Sequence, residues 1–596
     1  MKIQSKKFNL LDLVRIPFVV SPTSASIKII DRIITAFIPS LQIVFTANFI
    51  DTAFSIFNNK RQFNDIYLPL FMLIGIIAYQ NIDKVLINFI DIKLTAKLTE
   101  QYQSAIMQKR ALLEYHHIEN NDDWELIARV CNNPAERISR GLNILMHMIN
   151  MIINISSYII ILTLQVWWAA VIVVSFSVPI FYISVKSGKA NYDGFKKASI
   201  HQRRAGYMND VLTERDYVEE RSLFSYTDDI DEKWYDKFEI ARKIVLKVQA
   251  KELLKMKGAG LITVLVSFLI AGVLIPPLNV GTISIGFFIA LITAAFNLVQ
   301  MTSWELSSVT NDLANQMEYL KDLSNFSFMS EQPGVLDIPD ISVLKTITPT
   351  IEFKNVSFKY PCIDKYVLRN FSMKLNPKKQ YAFVGKNGAG KTTITKLLTG
   401  LYGEYEGQIL IGNKDIKTYT AAQLKAIFSI VYQDFAKYSI SLFDNVRLGN
   451  IAGSNKERIG SALESIGLGY LTEKLLDGIQ SPLGKIKENG VDLSGGEWQR
   501  IAMARTLVSD APVRILDEPT AALDPIAESN IYQNFSQIST GQLTIFITHR
   551  LGAAKLADEI LVIDDGMVAE QGTHDELMRK NGLYAEMFEK QRGWYI

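Results

Sequence analysis

Six apolar stretches before residue 310 constrain the fold more than any other feature of this sequence. Each is long enough to cross a bilayer as a helix, which takes about 20 mostly apolar residues. They form three close pairs, with short links inside each pair and long segments between pairs. We therefore predict an N-terminal α-helical transmembrane domain with six spans. The spans run approximately over residues 33–54, 66–90, 144–164, 168–185, 259–278 and 283–301.

Basic residues predict the orientation of these spans. The long segments, residues 91–142 and 186–258, and the N-terminal tail are rich in Lys and Arg, whereas the short links hold almost none. Cytoplasmic loops carry such an excess of Lys and Arg. Both long segments and both termini are therefore predicted to be cytoplasmic, in a multi-pass protein of the cell membrane.

The overall charge and the cysteines argue against a nucleic-acid-binding protein and against a disulfide-linked protein. The chain has 63 Lys plus Arg against 61 Asp plus Glu, a net charge of +2, which gives no electrostatic footprint for nucleic acid. Cys131 and Cys362 lie far apart and in different predicted domains, so no structural disulfide is expected.

A second domain follows a linker that prolines mark. Pro333, Pro339 and Pro349 interrupt the helical pattern. Strand-like alternation begins near residue 351, and β-branched stretches then interleave with helical ones, which is typical of an α/β fold. We predict a transmembrane domain over residues 1–330, a linker over 331–349 and an α/β domain with a helical subdomain over 350–596.

A glycine-rich motif in the second domain predicts a phosphate site. GKNGAGKT at residues 385–392 follows the strand-like YAFV and precedes a helical stretch, which is the context that a P-loop requires. Backbone N–H groups around the glycines can wrap phosphates, Lys391 can reach the β- and γ-phosphates, and Thr392 can ligate Mg²⁺. The predicted nucleotide-binding residues here are Gly385, Asn387, Gly388, Gly390, Lys391, Thr392 and Thr393.

Two acidic residues end the apolar run VRILDE. Asp517 suits a Mg²⁺ ligand, and Glu518 is placed to polarise an attacking water. Taken alone, such a pair is weak evidence, because acidic residues often end a strand in solvent.

The sequence LSGGEWQR at residues 493–500 stands just before this run and has no other common explanation. With it, the chain resembles the ABC transporter superfamily over essentially its whole length, in the order of exporter half-transporters. The resemblance implies ATP and Mg²⁺ as cofactors, with ATP hydrolysis coupled to transport. It implies that Tyr360 stacks on adenine and that Asp524 lies in the D-loop. It also implies that Ser494, Gly495 and Gly496 close on the γ-phosphate held by a partner. By the same resemblance the catalytic residues are Glu518, His549 and Gln433, and the metal ligands are Thr392, Gln433 and Asp517.

Ser494 also opens a predicted helix, and a helix N-terminus is an anion site in its own right. One such site already exists at the P-loop of the same chain. The resemblance implies that the second serves another chain, in a head-to-tail dimer with ATP between the two. Because all the motifs are intact, we prefer a homodimer, and a heterodimer remains open.

Polar residues in the spans bear on the cargo. Two stripes at helical spacing either line a watery cavity or join helices by hydrogen bonds; the exporter resemblance favours the cavity. We interpret Asp83 and Lys84 as an internal ion pair or cavity rim rather than a proton relay. The stripes are Asn143, His147, Asn150 and Asn154 in span three, and Thr293, Asn297, Gln300 and Trp304 in span six.

Within the superfamily, the chain is most similar to lantibiotic exporters that lack a peptidase domain. The run Tyr432 to Phe435, Tyr438 and Trp498 resembles that group. About 30 residues without cysteine before span one cannot hold a cysteine protease of about 150 residues. We predict export of an amphipathic substrate, preferably a modified peptide. The alternatives are a lipid or multidrug exporter or flippase and, less favoured, a non-transporting ABC ATPase regulator.

Overall fold

A computed structural model describes most of the chain, and within it the chain divides into two compact units. The first unit is Met1–Arg110 with Glu125–Met329, and the second is Ala111–Trp124 with Ser330–Ile596. Cys362, Asp524 and Trp304 lie outside the described residues. Those residues are 1–301, 305–345, 349–361, 363–485, 489–519, 533 and 541–593.

Long helices form the first unit. Among the described residues, three helices are long and apolar enough to cross a membrane, Pro22–Phe57, Phe63–Leu112 and Pro134–Leu164, and they contain predicted spans one to three. The structure therefore identifies three of the six predicted spans by this criterion. In chain order the helices up to Phe328 are α1 (Asp12–Val20), α2 (Pro22–Phe57), α3 (Tyr67–Leu98), α4 (Ser104–Leu112), α5 (Tyr115–Glu119), α6 (Asn121–Cys131), α7 (Pro134–Gln165), α8 (Trp167–Thr213), α9 (Val218–Leu223), α10 (Thr227–Asn279), α11 (Ile285–Gln300) and α12 (Leu306–Phe328). Of these helices, α5 belongs to the second unit.

Close packing of α2 on α11 shows what holds this unit together. Small side chains let the helices approach, since a Cβ at Gly286 would lie 2.1 Å from the carbonyl oxygen of Ala47. Asp51 of α2 accepts a hydrogen bond from the Gly286 N–H at 2.7 Å and another from the Ser284 hydroxyl. A carboxylate therefore caps the N-terminus of α11, where unpaired N–H groups favour negative charge.

The second unit is built on two sheets. One is an antiparallel sheet in the order β2-β1-β4-β5, and the other is in the order β10-β9-β3-β8-β7-β6 with parallel pairing from β9 through β6. The strands are β1 (Ile351–Phe358), β2 (Leu368–Leu375), β3 (Gln380–Val384), β4 (Glu406–Ile411), β5 (Lys414–Asp415), β6 (Phe428–Val431), β7 (Val513–Asp517), β8 (Leu543–Ile547), β9 (Glu559–Asp564) and β10 (Met567–Gly572).

Three hydrophobic clusters lie among the described residues of this unit. One packs the sheets against the first helix after the P-loop, and another packs a helical part around Trp498, Ile501 and Leu463. The third packs the larger sheet against the C-terminal helices through Leu577 and Tyr584. This is the predicted α/β domain with a helical subdomain. Its helices are α13 (Lys391–Leu398), α14 (Ala421–Ile427), α15 (Leu442–Arg447), α16 (Lys456–Ser465), α17 (Leu471–Lys474), α18 (Gly495–Leu507), α19 (Leu551–Ala554), α20 (His574–Lys580) and α21 (Leu583–Arg592).

Candidate nucleotide site

Strand order brings distant motifs to one edge of the larger sheet. β8 lies between β3 and β7, with Phe383 and Asp517 both opposite Ile547. The P-loop follows β3, Glu518 follows β7, and His549 follows β8. Parallel strands present their carboxyl ends at the same edge, where α/β sheets bind ligands. Residues that are far apart in the sequence therefore meet there.

The P-loop backbone has conformations that only glycine adopts easily. Gly385 has φ +154°, and a Cβ on it would lie 2.1 Å from the carbonyl oxygen of Ile563. Gly390 has φ +101° and is the N-cap residue of α13. A side chain at either position would be strained, so the loop can keep its N–H groups directed at a phosphate.

Lys391 is held against this loop. Its Nζ donates to the carbonyl oxygens of Gly385 and Lys386, both at 2.9 Å. Burial lowers the pKa of the Lys391 ammonium, and the carboxylates of Glu518 and Asp517 oppose that effect. The cation therefore points into the loop where the phosphates of a nucleotide would lie.

Asp517 is a fully buried acid at the end of β7. Its side chain is 0% exposed, and neither carboxylate oxygen has a hydrogen-bond partner among the described residues. Burial raises the pKa of Asp517 to about 6. The hydroxyl of Thr392 lies close enough to Asp517 to lower its pKa in part, although the two side chains do not form a hydrogen bond of ordinary geometry. A buried carboxylate facing a hydroxyl is a fitting donor set for a hard cation.

Glu518 and His549 form a direct pair. The Nε2 of His549 lies 2.6 Å from Oε1 of Glu518. Burial and the nearby Lys391 lower the pKa of His549, against the pull of Glu518. A neutral His549 can therefore donate Nε2–H to the carboxylate at neutral pH.

The backbone of Glu518 is in a left-handed conformation that is uncommon for a glutamate. Its φ is +47°, which costs free energy outside glycine. Its N–H donates to Ile547 at 2.9 Å, and its carbonyl accepts from Nε2 of Gln499 at 3.2 Å. These hydrogen bonds hold the strained residue and direct its side chain at His549.

The signature residues lie at the start of α18. Ser494 is its N-cap residue and forms a capping box with Glu497, whose carboxylate accepts from the Ser494 N–H at 2.7 Å. Ser494 is exposed, whereas Trp498 is buried in the helical core. The N-terminus of α18 therefore faces solvent within this chain, as a surface that a second molecule can approach.

Tyr360 lies beside the P-loop helix. Its hydroxyl is 2.9 Å from that of Thr393, and its ring makes an edge contact with Tyr402 at 5.5 Å between centroids. Lys396 of α13 lies over the same ring, 5.1 Å from the centroid. The predicted adenine-stacking residue is thus fixed by its neighbours.

The sequence did not predict a side-chain cluster in the second unit that joins α5 to α13, the helix after the P-loop. Glu119 at the end of α5 accepts from Lys396 at 2.8 Å and from the Tyr402 hydroxyl. Tyr115 of the same helix makes an edge contact with Tyr402, with centroids 5.7 Å apart. The only signal in the sequence was that Lys396 follows Thr392 by four residues on one helix, which places both on the same face.

The remaining predicted residues are less closely connected. Gln433 follows β6 and is exposed near the same edge of the sheet, and Asn387 and Gly388 are exposed in the P-loop. Gly495 and Gly496 lie in the first turn of α18. The predicted D-loop residue Asp524 lies outside the described part of the chain.

In the first unit, the stripe in predicted span three joins helices. Asn143 donates to Asp91 at 3.3 Å, Asn150 to the Arg32 carbonyl at 3.3 Å and Asn154 to Asn150 at 2.7 Å. This conformation therefore uses three of the four residues for hydrogen bonding between or along helices.

The fourth residue of that stripe and the described residues of the stripe in span six are exposed to solvent. His147 is half exposed, with Nε2 3.9 Å from Glu305. Thr293 and Asn297 are exposed, so they remain candidates for lining the cargo path. Nothing is described for the side chains of Gln300 and Trp304.

Asp83 and Lys84 do not form the predicted ion pair. Successive residues on a helix point about 100° apart. Lys84 is exposed, whereas Asp83 is half-buried.

Some known proteins resemble this chain over nearly its whole length, and others resemble only a part of it. A family model described as ABC transporter matches residues 368–521. The subtilin transport ATP-binding protein SpaT of Bacillus subtilis is 28% identical over 569 residues, which cover 94% of this chain and 90% of SpaT. The ATP-dependent lipid A-core flippase of Escherichia coli strain K12 is 37% identical over 251 residues, which cover 42% of this chain and 43% of the flippase.

A solved structure shares the fold. The structure of a bacterial Atm1-family ABC exporter with ATP bound matches with a TM-score of 0.75 and 22% sequence identity, covering 95% of this chain and 98% of that one. The similarities to SpaT and to this structure include both units, whereas the flippase match spans less than half of either protein.

Proposed function

We propose that this chain, which is an ABC exporter, moves an amphipathic peptide out of the cytoplasm as a homodimer. The exporter assignment rests on the ABC transporter match and on the full-length similarities, and it confirms the predicted family, fold class and coupling of ATP hydrolysis to transport. The chain is a multi-pass membrane protein with a cytoplasmic ATPase domain.

One observation carries the peptide proposal. The relative that matches across 94% of this chain is named for transport of subtilin. The lipid flippase is more similar where it matches, but the match covers 42% of this chain. A substrate is selected by the membrane domain, so similarity across both domains weighs more than similarity across one. Lipid export is the second candidate.

A transport assay separates these candidates. We expect inside-out vesicles with the wild-type chain to accumulate a labelled lanthionine-containing peptide when MgATP is added, and the Glu518→Gln chain to accumulate none. Fluorescent phospholipid and a cationic dye, tested in the same vesicles, should show no ATP-dependent movement. Lipid movement without peptide uptake would identify the chain as a flippase instead.

The ABC domain binds nucleotide, and we propose Mg²⁺ as its companion ion. Asp517 fits this ion because it is a buried acid whose two oxygens have no hydrogen-bond partner in the described part of the chain, and Thr392 and Gln433 would complete the protein ligands. When bound, Mg²⁺ neutralises charge that develops on the β- and γ-phosphates.

Other residues of this chain would bind the phosphates and adenine and accept the proton of the attacking water. Lys391 would bind the β- and γ-phosphates in place of its present carbonyl partners. Glu518 would accept the proton of the attacking water at its carboxylate, and His549, donating to Oε1, would keep that carboxylate oriented. Tyr360, fixed by Thr393 and Tyr402, would stack on adenine.

The exposed N-terminus of α18 supports the dimer. Ser494, Gly495 and Gly496 begin a helix packed in the helical core, and the first turn of this helix lies next to solvent. A second copy of the chain would place its own γ-phosphate there. ATP would then hold the two copies together until it is hydrolysed.

The contact of Glu119 with Lys396 would couple α5 to nucleotide binding. We expect Glu119→Gln to reduce peptide stimulation of ATPase activity about tenfold, the cost of one hydrogen bond between charged groups. Basal ATPase activity should stay unchanged, because Glu119 does not touch the P-loop. The measurement is ATPase activity against peptide concentration in nanodiscs.

Asp122→Asn is the matched control, since Asp122 is an exposed acid on the same segment. It should leave both activities as in the wild type. Equal losses of basal and stimulated activity in Glu119→Gln would contradict a coupling role.

A further inference from the structure

Gln499 connects α18 to the residue that follows β7. It lies in the second turn of α18, and only 2% of it is exposed. Its Nε2 donates to the backbone carbonyl of Glu518 at 3.2 Å, across 19 positions of the chain. The helical core around it is apolar, and a buried amide is costly unless it forms hydrogen bonds. The burial of Gln499 is therefore explained by its hydrogen bonding and not by packing alone.

The carbonyl that accepts this bond belongs to a strained residue. Glu518 has φ +47°, and a glutamate keeps such a conformation only where its surroundings fix it. Its N–H is held by Ile547 of β8, so the sheet holds one side of the residue and Gln499 holds the other. Loss of the bond at the carbonyl would let this backbone relax. The direction of the carboxylate towards His549, 2.6 Å away, would change with it.

The helix α18 forms a stiff connection between its own N-terminus and Gln499. The capping box of Ser494 and Glu497 fixes its first turn, and Trp498 anchors it in the helical core. Gln499 lies about 7.5 Å along the helix axis from the N-cap residue, so a displacement of the N-terminus reaches it. At 3.2 Å its bond to Glu518 is at the long end of the range for N–H···O hydrogen bonds. A shift of a few tenths of an ångström would tighten or break this bond.

We propose that Gln499 couples the two ATP sites of the dimer, as a positioning residue for Glu518. This inference rests on the proposed dimer, in which the N-terminus of α18 meets the γ-phosphate of the partner's nucleotide. Glu518 acts in the other site, on the nucleotide that its own P-loop binds. The partner's nucleotide would set the position of α18, and Gln499 would pass that position on to Glu518. Hydrolysis in one site therefore depends on nucleotide in the other through a hydrogen bond within one chain.

Replacing Gln499 by methionine removes the donor and keeps nearly the same side-chain volume. We expect the Gln499→Met homodimer in nanodiscs to hydrolyse saturating MgATP about tenfold more slowly, the effect of one hydrogen bond. Its affinity for a fluorescent ATP analogue should stay as in the wild type, which also shows that the variant is folded. Gln571→Met is the matched control, at an exposed glutamine of the same domain, and it should hydrolyse ATP at the wild-type rate.

Mixed dimers with two different tags separate positioning of Glu518 from support of α18. One active site remains when one chain has Glu518→Gln. Gln499→Met in the chain that keeps Glu518 should slow this site about tenfold. The same change in the Glu518→Gln chain should leave the rate unchanged, because that chain supplies only the N-terminus of its α18 to the active site.

The same dimers test the coupling itself. Adding Lys391→Ala to the Glu518→Gln chain prevents ATP binding in the second site, which is the site that contacts α18 of the active chain. We expect this change to slow the active site several-fold when the active chain has Gln499, and to have no further effect when that chain has Gln499→Met.

Two results would overturn the coupling alone: equal losses from both placements of Gln499→Met, or a second-site effect of the same size in chains with and without Gln499. Failure of the differently tagged chains to copurify would overturn the proposed dimer, and the coupling with it.

Discussion

Replacing Glu518 by glutamine should lower the steady rate of ATP hydrolysis by about 10²- to 10⁴-fold, the usual contribution of a general base. Glutamine has nearly the same shape and can still accept the hydrogen bond that His549 donates over 2.6 Å. It cannot accept the proton of the attacking water. ATP binding should therefore persist, and the variant should accumulate in an ATP-bound dimer.

Two measurements on purified protein in nanodiscs check this expectation. Phosphate release gives the rate, and binding of a fluorescent ATP analogue gives the affinity. Glu586→Gln serves as the matched control, because Glu586 is exposed and pairs with Lys590 on α21. If Glu518→Gln hydrolyses ATP as fast as this control, Glu518 is not the base.

Replacing Asp517 by asparagine should have effects of opposite sign with and without nucleotide. Burial raises the pKa of Asp517 from 3.8 to about 6, so the folded chain binds this proton more tightly than the unfolded chain does. Stability from this residue is full below pH 3.8 and is lost as the pH rises through about 6. The ionised form costs about 3 kcal/mol at higher pH.

Asparagine removes that cost together with the charge that would hold Mg²⁺. Without nucleotide, the variant should therefore unfold at a higher temperature than the wild type at pH 8, with a smaller difference at pH 5. MgATP should stabilise the wild type and leave the variant unaffected. Thermal unfolding of the full chain at both pH values, with and without MgATP, measures all of these changes.

Asp477→Asn, a change at an exposed acid of the same domain, is the control. It should follow the wild type under every condition. A lower unfolding temperature for Asp517→Asn at pH 8 without nucleotide would contradict the assignment of Asp517 as an uncompensated buried charge.

Much of the nucleotide site could be predicted because its geometry is local. The φ of +101° at Gly390 and the capping box at Ser494 depend on residues within a few positions of each other. The strand before Asp517 and the one before His549 are short and fully buried, as their apolar composition indicates. Their adjacency follows from the common topology of parallel sheets.

The membrane unit shows where prediction from the sequence ends. A helical stripe of asparagines is equally compatible with a watery cavity and with neighbouring helices. The structure pairs Asn143 with Asp91 and Asn150 with the backbone of α2. A periodicity defines which residues share a face, but it carries no information on what that face meets.

The sequence by itself indicated the class of this protein, the candidate residues of its nucleotide site and the orientation of its membrane domain. These follow from short motifs, buried strands and charge asymmetry, which act over a few residues or over whole segments. Only the tertiary structure decided that Glu119 meets Lys396, that Glu518 meets His549 at hydrogen-bond distance and that Asn143 meets Asp91. Such contacts join residues far apart in the chain, and their formation depends on how whole helices and strands pack.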